Sequence, residues 1–212
     1  MIFSRLFILS LMTFASSTTL AATNLTPSDG DWGVHGSLAS SYYQYEEDDV
    51  RSELPVSIIQ LLDANDIGGD DTDLANNSVG MVYYFTPRLN FSGTFTEGIE
   101  VAVFDDLFDS TKFDVDLQMI EFDLSYRVAE LTRSLGVFVK AGIVLNRIQA
   151  EVYKFEAQRT EPLASASENK IGAKVGLGLQ WDFPGNWSMK FGYSHYTFMS
   201  IDKSYLQFEY CF

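Results

Sequence analysis

The sequence predicts an all-β chain, an eight-stranded antiparallel up-and-down transmembrane β-barrel, on three observations. Apolar and polar side chains alternate with period two along most of the chain. Connections alternate between short turns and long loops, as in barrels whose strands cross a membrane. No uninterrupted apolar segment approaches the ~20 residues that a membrane-crossing helix needs.

The N-terminus reads as an export signal. A single positive charge, Arg5, precedes an apolar run from Leu6 to Phe14, and Thr19-Leu20-Ala21-Ala22 follows, with cleavage after Ala21 or Ala22. Residues 1–22 are therefore expected to be a signal peptide and 23–212 one barrel domain. Strands are expected near 31–45, 77–86, 88–97, 113–128, 135–150, 170–183, 187–194 and 204–212. The clearest is Lys170 to Phe183, where Ile171, Ala173, Val175, Leu177, Leu179, Trp181 and Phe183 share one face. Lys170, Gly172, Lys174, Gly176, Gly178, Gln180 and Asp182 share the other. Pro184-Gly185-Asn186 turns the chain into Trp187, Met189, Phe191 and Tyr193, which alternate with Ser188, Lys190, Gly192 and Ser194. In the fourth strand the apolar set shifts from Phe113, Val115 and Leu117 to Ile120, Phe122, Leu124 and Tyr126, which predicts a bulge near Met119. Helical periodicity is confined to Leu54–Asp63, whose apolar residues Ile58, Ile59, Leu61 and Leu62 are expected to pack over the barrel mouth, with contact to a partner as the alternative.

Connections 46–76, 98–112 and 155–169 are long, while those at 86–87, 129–134 and 184–186 are short; only 199–203 departs from the pattern. An even strand number places both termini on the periplasmic side. The apolar face is expected to point outwards, because the polar face is rich in Gly and Ser, and Trp181, Phe183 and Trp187 cluster at strand ends where interfacial girdles sit. The lumen then holds Glu121, Asp123, Arg127, Lys140, Lys170, Lys174, Asp182, Lys190 and Glu209, with His35 and Cys211. Buried charges must pair, and an eight-stranded interior is about wide enough for side chains to fill. A plugged barrel is the expectation.

Charge and cysteine content narrow the function classes. The chain carries 14 basic and 29 acidic residues, and loss of Arg5 with the signal takes the formal charge from −15 to −16. No basic face is available for nucleic acid. The single cysteine, Cys211, cannot form an internal disulfide.

The closing segment Ser204-Tyr205-Leu206-Gln207-Phe208-Glu209-Tyr210-Cys211-Phe212 resembles the terminal signature read by the barrel-assembly machinery. The stretch VGLGLQWDFPGNWSMKFGYSHY, from Val175 to Tyr196, resembles the penultimate hairpin of the OmpA-type transmembrane domain. The resemblance covers roughly the last 40 residues, and the earlier strands match by pattern. It implies an eight-stranded barrel in the bacterial outer membrane whose surface loops serve adhesion, stress resistance or envelope integrity. Its partners would be outer-membrane lipid and lipopolysaccharide, the assembly machinery during biogenesis, and an extracellular ligand. The chain stops at Phe212 without the peptidoglycan-binding domain of full-length OmpA, so a cell-wall tether is not expected.

Two sets of residues invite chemistry. In the first loop, Asp63, Asn65, Asp66, Asp70 and Asp73 offer oxygen ligands to Ca2+, but the closing glutamate and the spacing of an EF-hand loop are missing. A solvated acidic loop is the simpler reading, with weak divalent bridging to lipopolysaccharide as its functional counterpart. The second set is His195, Thr197 and Asp202. Lipid A deacylases are eight-stranded barrels that carry a His and, two positions on, a Ser on the lipid-facing side; this chain has Thr197 in the second place. Base, hydroxyl and orienting acid would be His195, Thr197 and Asp202, against the reading of His195 as a lone interfacial histidine. No phosphate-binding glycine loop, zinc spacing or cofactor site is present. The expected role is structural or surface-interactive, with a lipid A-modifying acyl hydrolase or a small porin-like channel as the alternatives.

Overall fold

The computed structural model describes residues 27–43, 56, 60, 72–100, 111–154, 164–197 and 201–212. Eight strands run in chain order: β1 (Trp32–Tyr43), β2 (Thr72–Tyr84), β3 (Leu89–Glu100), β4 (Thr111–Glu130), β5 (Leu135–Lys154), β6 (Ala164–Phe183), β7 (Trp187–Tyr196) and β8 (Ile201–Cys211). Each pairs antiparallel with its sequence neighbour, and β8 returns to β1, with Gly33 opposite Cys211 and Tyr42 opposite Asp202. The sheet thus closes into an up-and-down barrel.

Period-two alternation becomes an inside and an outside. On β7, Ser188, Lys190, Gly192, Ser194 and Tyr196 are buried while Trp187, Phe191 and Tyr193 are exposed. On β8, Glu209 and Cys211 point inwards, and Phe208 and Phe212 outwards. Most of the large apolar side chains point outwards: Ile171 is 76% accessible, Phe191 59% and Leu177 58%. A continuous apolar exterior of this kind is what hydrocarbon, and not water, requires. At the turn end the belt finishes in aromatic rings: Trp32 against Tyr83, Tyr83 against Phe85, Trp181 against Phe183 and Trp187 against Tyr210. That is the place of an interfacial girdle.

The short turns explain themselves. In β2–β3, Thr86 Oγ1 accepts from the backbone N–H of Arg88 (3.2 Å) and Leu89 (3.0 Å). In β4–β5, Thr132 Oγ1 accepts from Ser134 (3.3 Å) and Leu135 (3.0 Å) in the same way. Threonine at the same place in each turn replaces the backbone acceptors that the reversal removes. The β6–β7 turn instead uses Gly185 and Asn186, both at positive φ (86° and 67°), a conformation few other residues adopt without strain.

Three sequence expectations are corrected. The bulge falls between Arg127 and Ala129, and β4 and β5 stay in register through Met119. Leu117 (2% accessible) and Met119 (1%) face the lumen, so the apolar shift marks a change in what the lumen contains. Second, β2 begins at Thr72, which makes Asp73 a strand residue opposite Tyr42. Third, β8 begins at Ile201 and carries Asp202 and Lys203, which the sequence assigned to a loop. Beyond the apolar belt both faces of a strand turn polar, so hydrophobic periodicity stops while the backbone ladder continues. Of the Leu54–Asp63 stretch only Val56 and Gln60 are described, both exposed and in helical conformation. The expected signal peptide lies outside the described residues.

Phe212 seals the barrel seam. Its N–H donates to Trp32 O (2.8 Å), and its carbonyl accepts from Trp32 N (3.4 Å). Deleting Phe212 is expected to lower the yield of assembled barrel several-fold. Glu209→Ala should assemble at near wild-type yield but unfold at lower temperature, because it strands buried Lys190. The heat-modifiable gel shift of membrane fractions separates the two outcomes; equal assembly yields would contradict the seam role.

Candidate functional site

The distinctive chemistry lies in the lumen, where register delivers charged side chains from five strands to one axis. At the turn end β2, β7 and β8 meet. Glu209 accepts hydrogen bonds from the Tyr84 hydroxyl and from the Lys190 ammonium (2.7 Å), which also donates to the Tyr84 oxygen (3.4 Å). Beside them the Arg127 guanidinium donates to Asp182 (2.5 Å), whose other oxygen accepts from Gln180 (2.8 Å).

The middle of the lumen is organised by Glu121. One carboxylate oxygen accepts from Thr96 (2.7 Å) and Lys203 (3.2 Å). The other accepts from Lys174 and from the Tyr196 hydroxyl (3.1 Å). Lys174 is shared with Asp123 at 2.6 Å. Lys140 stands apart, with its ammonium 4.0 Å from the centroid of the Tyr205 ring. Leu117, Met119, Val144, Ile148 and Ile201, all at or below 2% accessible, are buried as well, so the lumen holds apolar side chains among its polar ones such as Asn76 and Asn146. A cavity of about 30 Å3 remains, lined among others by Ser37, Ser92, Lys140 and Tyr205. Among the described residues, buried side chains fill most of the lumen.

Of the charged residues expected there, Glu121, Asp123, Arg127, Lys174, Asp182, Lys190 and Glu209 are buried. Lys140 lines the cavity, and Lys170 is half-buried. His35 is buried, with Nε2 3.3 Å from Thr94 Oγ1, and Cys211 is a buried free thiol next to Glu209. Sequence reasoning missed Lys203. Its parity with Tyr205, Gln207 and Glu209 was the available signal, obscured by ending the strand at Ser204. Tyr84, Thr96 and Tyr196 were also missed as network members, because uncharged residues carry no lumen signature of their own.

The second residue set lies on the outer surface. His195 Nδ1 is 2.8 Å from Asp202 Oδ1, across the β7–β8 ladder that places the two residues opposite each other. Thr197 is engaged elsewhere: its hydroxyl donates to Ala173 O (3.1 Å) and accepts from Ala173 N (3.0 Å). The structure therefore joins histidine to acid, and commits the hydroxyl to extending the β6–β7 ladder. Of the proposed Ca2+ ligands, Asp63, Asn65, Asp66 and Asp70 lie outside the described residues, and Asp73 is placed only as a position in β2. Among the described residues no cluster of His, Cys, Asp and Glu has the arrangement of a metal site.

Comparison with known proteins follows this geometry. The chain superimposes on Ail, the attachment invasion locus protein of Yersinia pestis, with a TM-score of 0.51 at 14% identity, covering 87% of this chain and 99% of that one. Neisserial surface protein A gives 0.51 at 15% identity, covering 85% and 95%. A major outer membrane protein of Thermus thermophilus gives 0.50 at 13%, covering 84% and 99%. At such identities the likeness is one of fold. No curated protein matches the sequence. The family model described as outer membrane protein beta-barrel domain matches residues 7–210. With its closed eight-stranded barrel, apolar exterior and filled polar lumen, the chain belongs to the outer-membrane β-barrel domain family and is a protein of the bacterial outer membrane.

Proposed function

We propose that this barrel is a surface-interaction protein that works through its acidic extracellular loops. The observation that supports this reading is the crowded lumen: most of its charges are paired with one another, and the cavity among them measures only about 30 Å3. The parts left to meet other molecules are the loops. The connection at 44–71 contains Glu46, Glu47, Asp48, Asp49, Glu53, Asp63, Asp66, Asp70 and Asp71 against Arg51, and that at 101–110 adds Asp105, Asp106 and Asp109. The opposite end carries Arg88 and Arg133 in its turns. β4, β5 and β6, at 20 residues each, are longer than their 10- to 13-residue neighbours, while the most acidic connection joins β1 and β2, of 12 and 13 residues. A concentration of negative charge in the connections at one end of the barrel suits cationic protein surfaces and divalent bridges to lipopolysaccharide phosphate.

The test removes residues 46–71 and leaves β2 intact from Thr72. Bacteria displaying the wild-type barrel should bind immobilised basic protein and epithelial cells about tenfold better than the deletion strain, and the difference should shrink as salt rises past physiological strength. Adhesion that persists unchanged in a loop-deleted barrel of normal heat-modifiability would refute the proposal.

A further inference from the structure

The cavity beside Lys140 carries an inference of its own. Four lysines come to this level of the lumen, Lys140, Lys174, Lys190 and Lys203, against three carboxylates, Glu121, Asp123 and Glu209. The carboxylates are committed. Glu121 holds Lys174 and Lys203, Asp123 holds Lys174, and Glu209 holds Lys190. Asp123, which also lines the cavity, has the one carboxylate oxygen of the three without a hydrogen bond among the described residues, Oδ1, and this atom lies against Gly142 on β5. Lys140 is left with the face of Tyr205, 4.0 Å away, and no carboxylate within ion-pair distance among the described residues. Lys140 is half-buried, and an aromatic face answers only part of its ammonium's charge.

We infer that the lumen binds a small monovalent anion of halide size in this cavity, against the Lys140 ammonium. The volume of about 30 Å3 accommodates a halide ion or a pair of waters. The wall supplies the donors that a halide takes. Ser37, Ser92 and Ser125 line the cavity with hydroxyls that make no hydrogen bond to another described residue, so their protons can turn inwards. Lys190 and Lys203 add positive potential from the sides. A cation would meet the surplus positive charge, and a multiply charged phosphate or sulfate would be repelled by Glu121 and Asp123, which line the same cavity. The site is a structural counter-ion site: it balances the one lumenal lysine at this level that the chain leaves unbalanced, and ties barrel stability to the anion present.

Bromide tests this directly, since it can be located by its anomalous scattering. Crystals of the folded barrel grown without halide and soaked in sodium bromide should show an anomalous peak inside the lumen in contact with Lys140 Nζ. In detergent at constant ionic strength, replacing gluconate, which is too large for the cavity, by bromide should raise the unfolding temperature saturably, by at least about 3 °C. Lys140→Met should abolish both the peak and the dependence. An empty or water-filled cavity in the soaked wild-type crystal, peaks confined to the barrel surface, or equal unfolding temperatures in the two anions would overturn the inference. The wild-type measurements decide the matter even if Lys140→Met fails to fold.

Discussion

Glu121→Gln is expected to be the most damaging single change in the lumen, lowering stability by about 3–5 kcal/mol. Glu121 is 2% accessible and holds two lysines, a tyrosine and a threonine. The amide keeps the shape but removes the charge. Lys203 then loses its carboxylate, and Lys174 keeps only Asp123. Breaking a buried pair costs far more than the pair contributes relative to an apolar substitute, because the stranded charge stays desolvated. The double variant Glu121→Gln/Lys203→Met should therefore recover part of the loss. A surface control sets the scale: Arg88–Glu130 has both side chains about half exposed, and Glu130→Gln should cost no more than about 0.5 kcal/mol. The readout is the urea or temperature midpoint of the folded gel band. If Glu121→Gln and Glu130→Gln unfold alike, the lumenal network does not hold the barrel together.

The second large effect is on the other face. Leu177 lies in the middle of the β6 belt and is 58% accessible, with the lumen-facing glycines Gly176 and Gly178 on either side. In a water-soluble barrel an arginine there would be tolerated. In a bilayer, Leu177→Arg is expected to cost about 2–4 kcal/mol at midplane depth. Asn169→Arg points the same way on the same strand, eight residues further out and beyond the apolar residues, and should cost about 0–1 kcal/mol. Unfolding titrations of both variants in lipid vesicles measure the difference. Equal costs would mean that the belt is misplaced along β6.

These two variants also separate what can be read from a sequence from what cannot. The outward row Ile171 to Trp181 was legible because hydrocarbon imposes one rule along the whole strand, and a period of two needs no knowledge of neighbours. Turn chemistry was legible at Pro184-Gly185-Asn186 for the same local reason. The lumen was legible in composition but not in wiring: parity placed Glu121, Asp123, Lys174 and Lys190 inside, yet nothing in the chain stated that Glu121 is the hub. That depends on how far β4 is staggered against β6 and β8, and stagger is a property of the closed sheet.

The misread residues follow the same division. Leu117 and Met119 looked like a slipped strand because apolar meant outside, whereas the lumen buries apolar side chains of its own. Lys203 was left in a loop because the alternation that marks a strand fades where lipid ends. His195 and Asp202 were named together from the sequence, and the antiparallel register does set them opposite each other; the same register ties Thr197 to Ala173.

By itself the sequence determined that strands alternate, that eight of them close a barrel, which face meets lipid, and that the loops on one side are acidic. Each of these follows from local rules, either solvent preference at single positions or the conformational demands of a turn. Only the tertiary structure decided which charges neutralise one another, which apolar side chains the lumen buries, and that Lys140 is left beside a cavity without a carboxylate. Pairing inside a closed barrel depends on distances across the lumen, between residues remote in sequence, and those distances exist only once the ring of hydrogen bonds is complete.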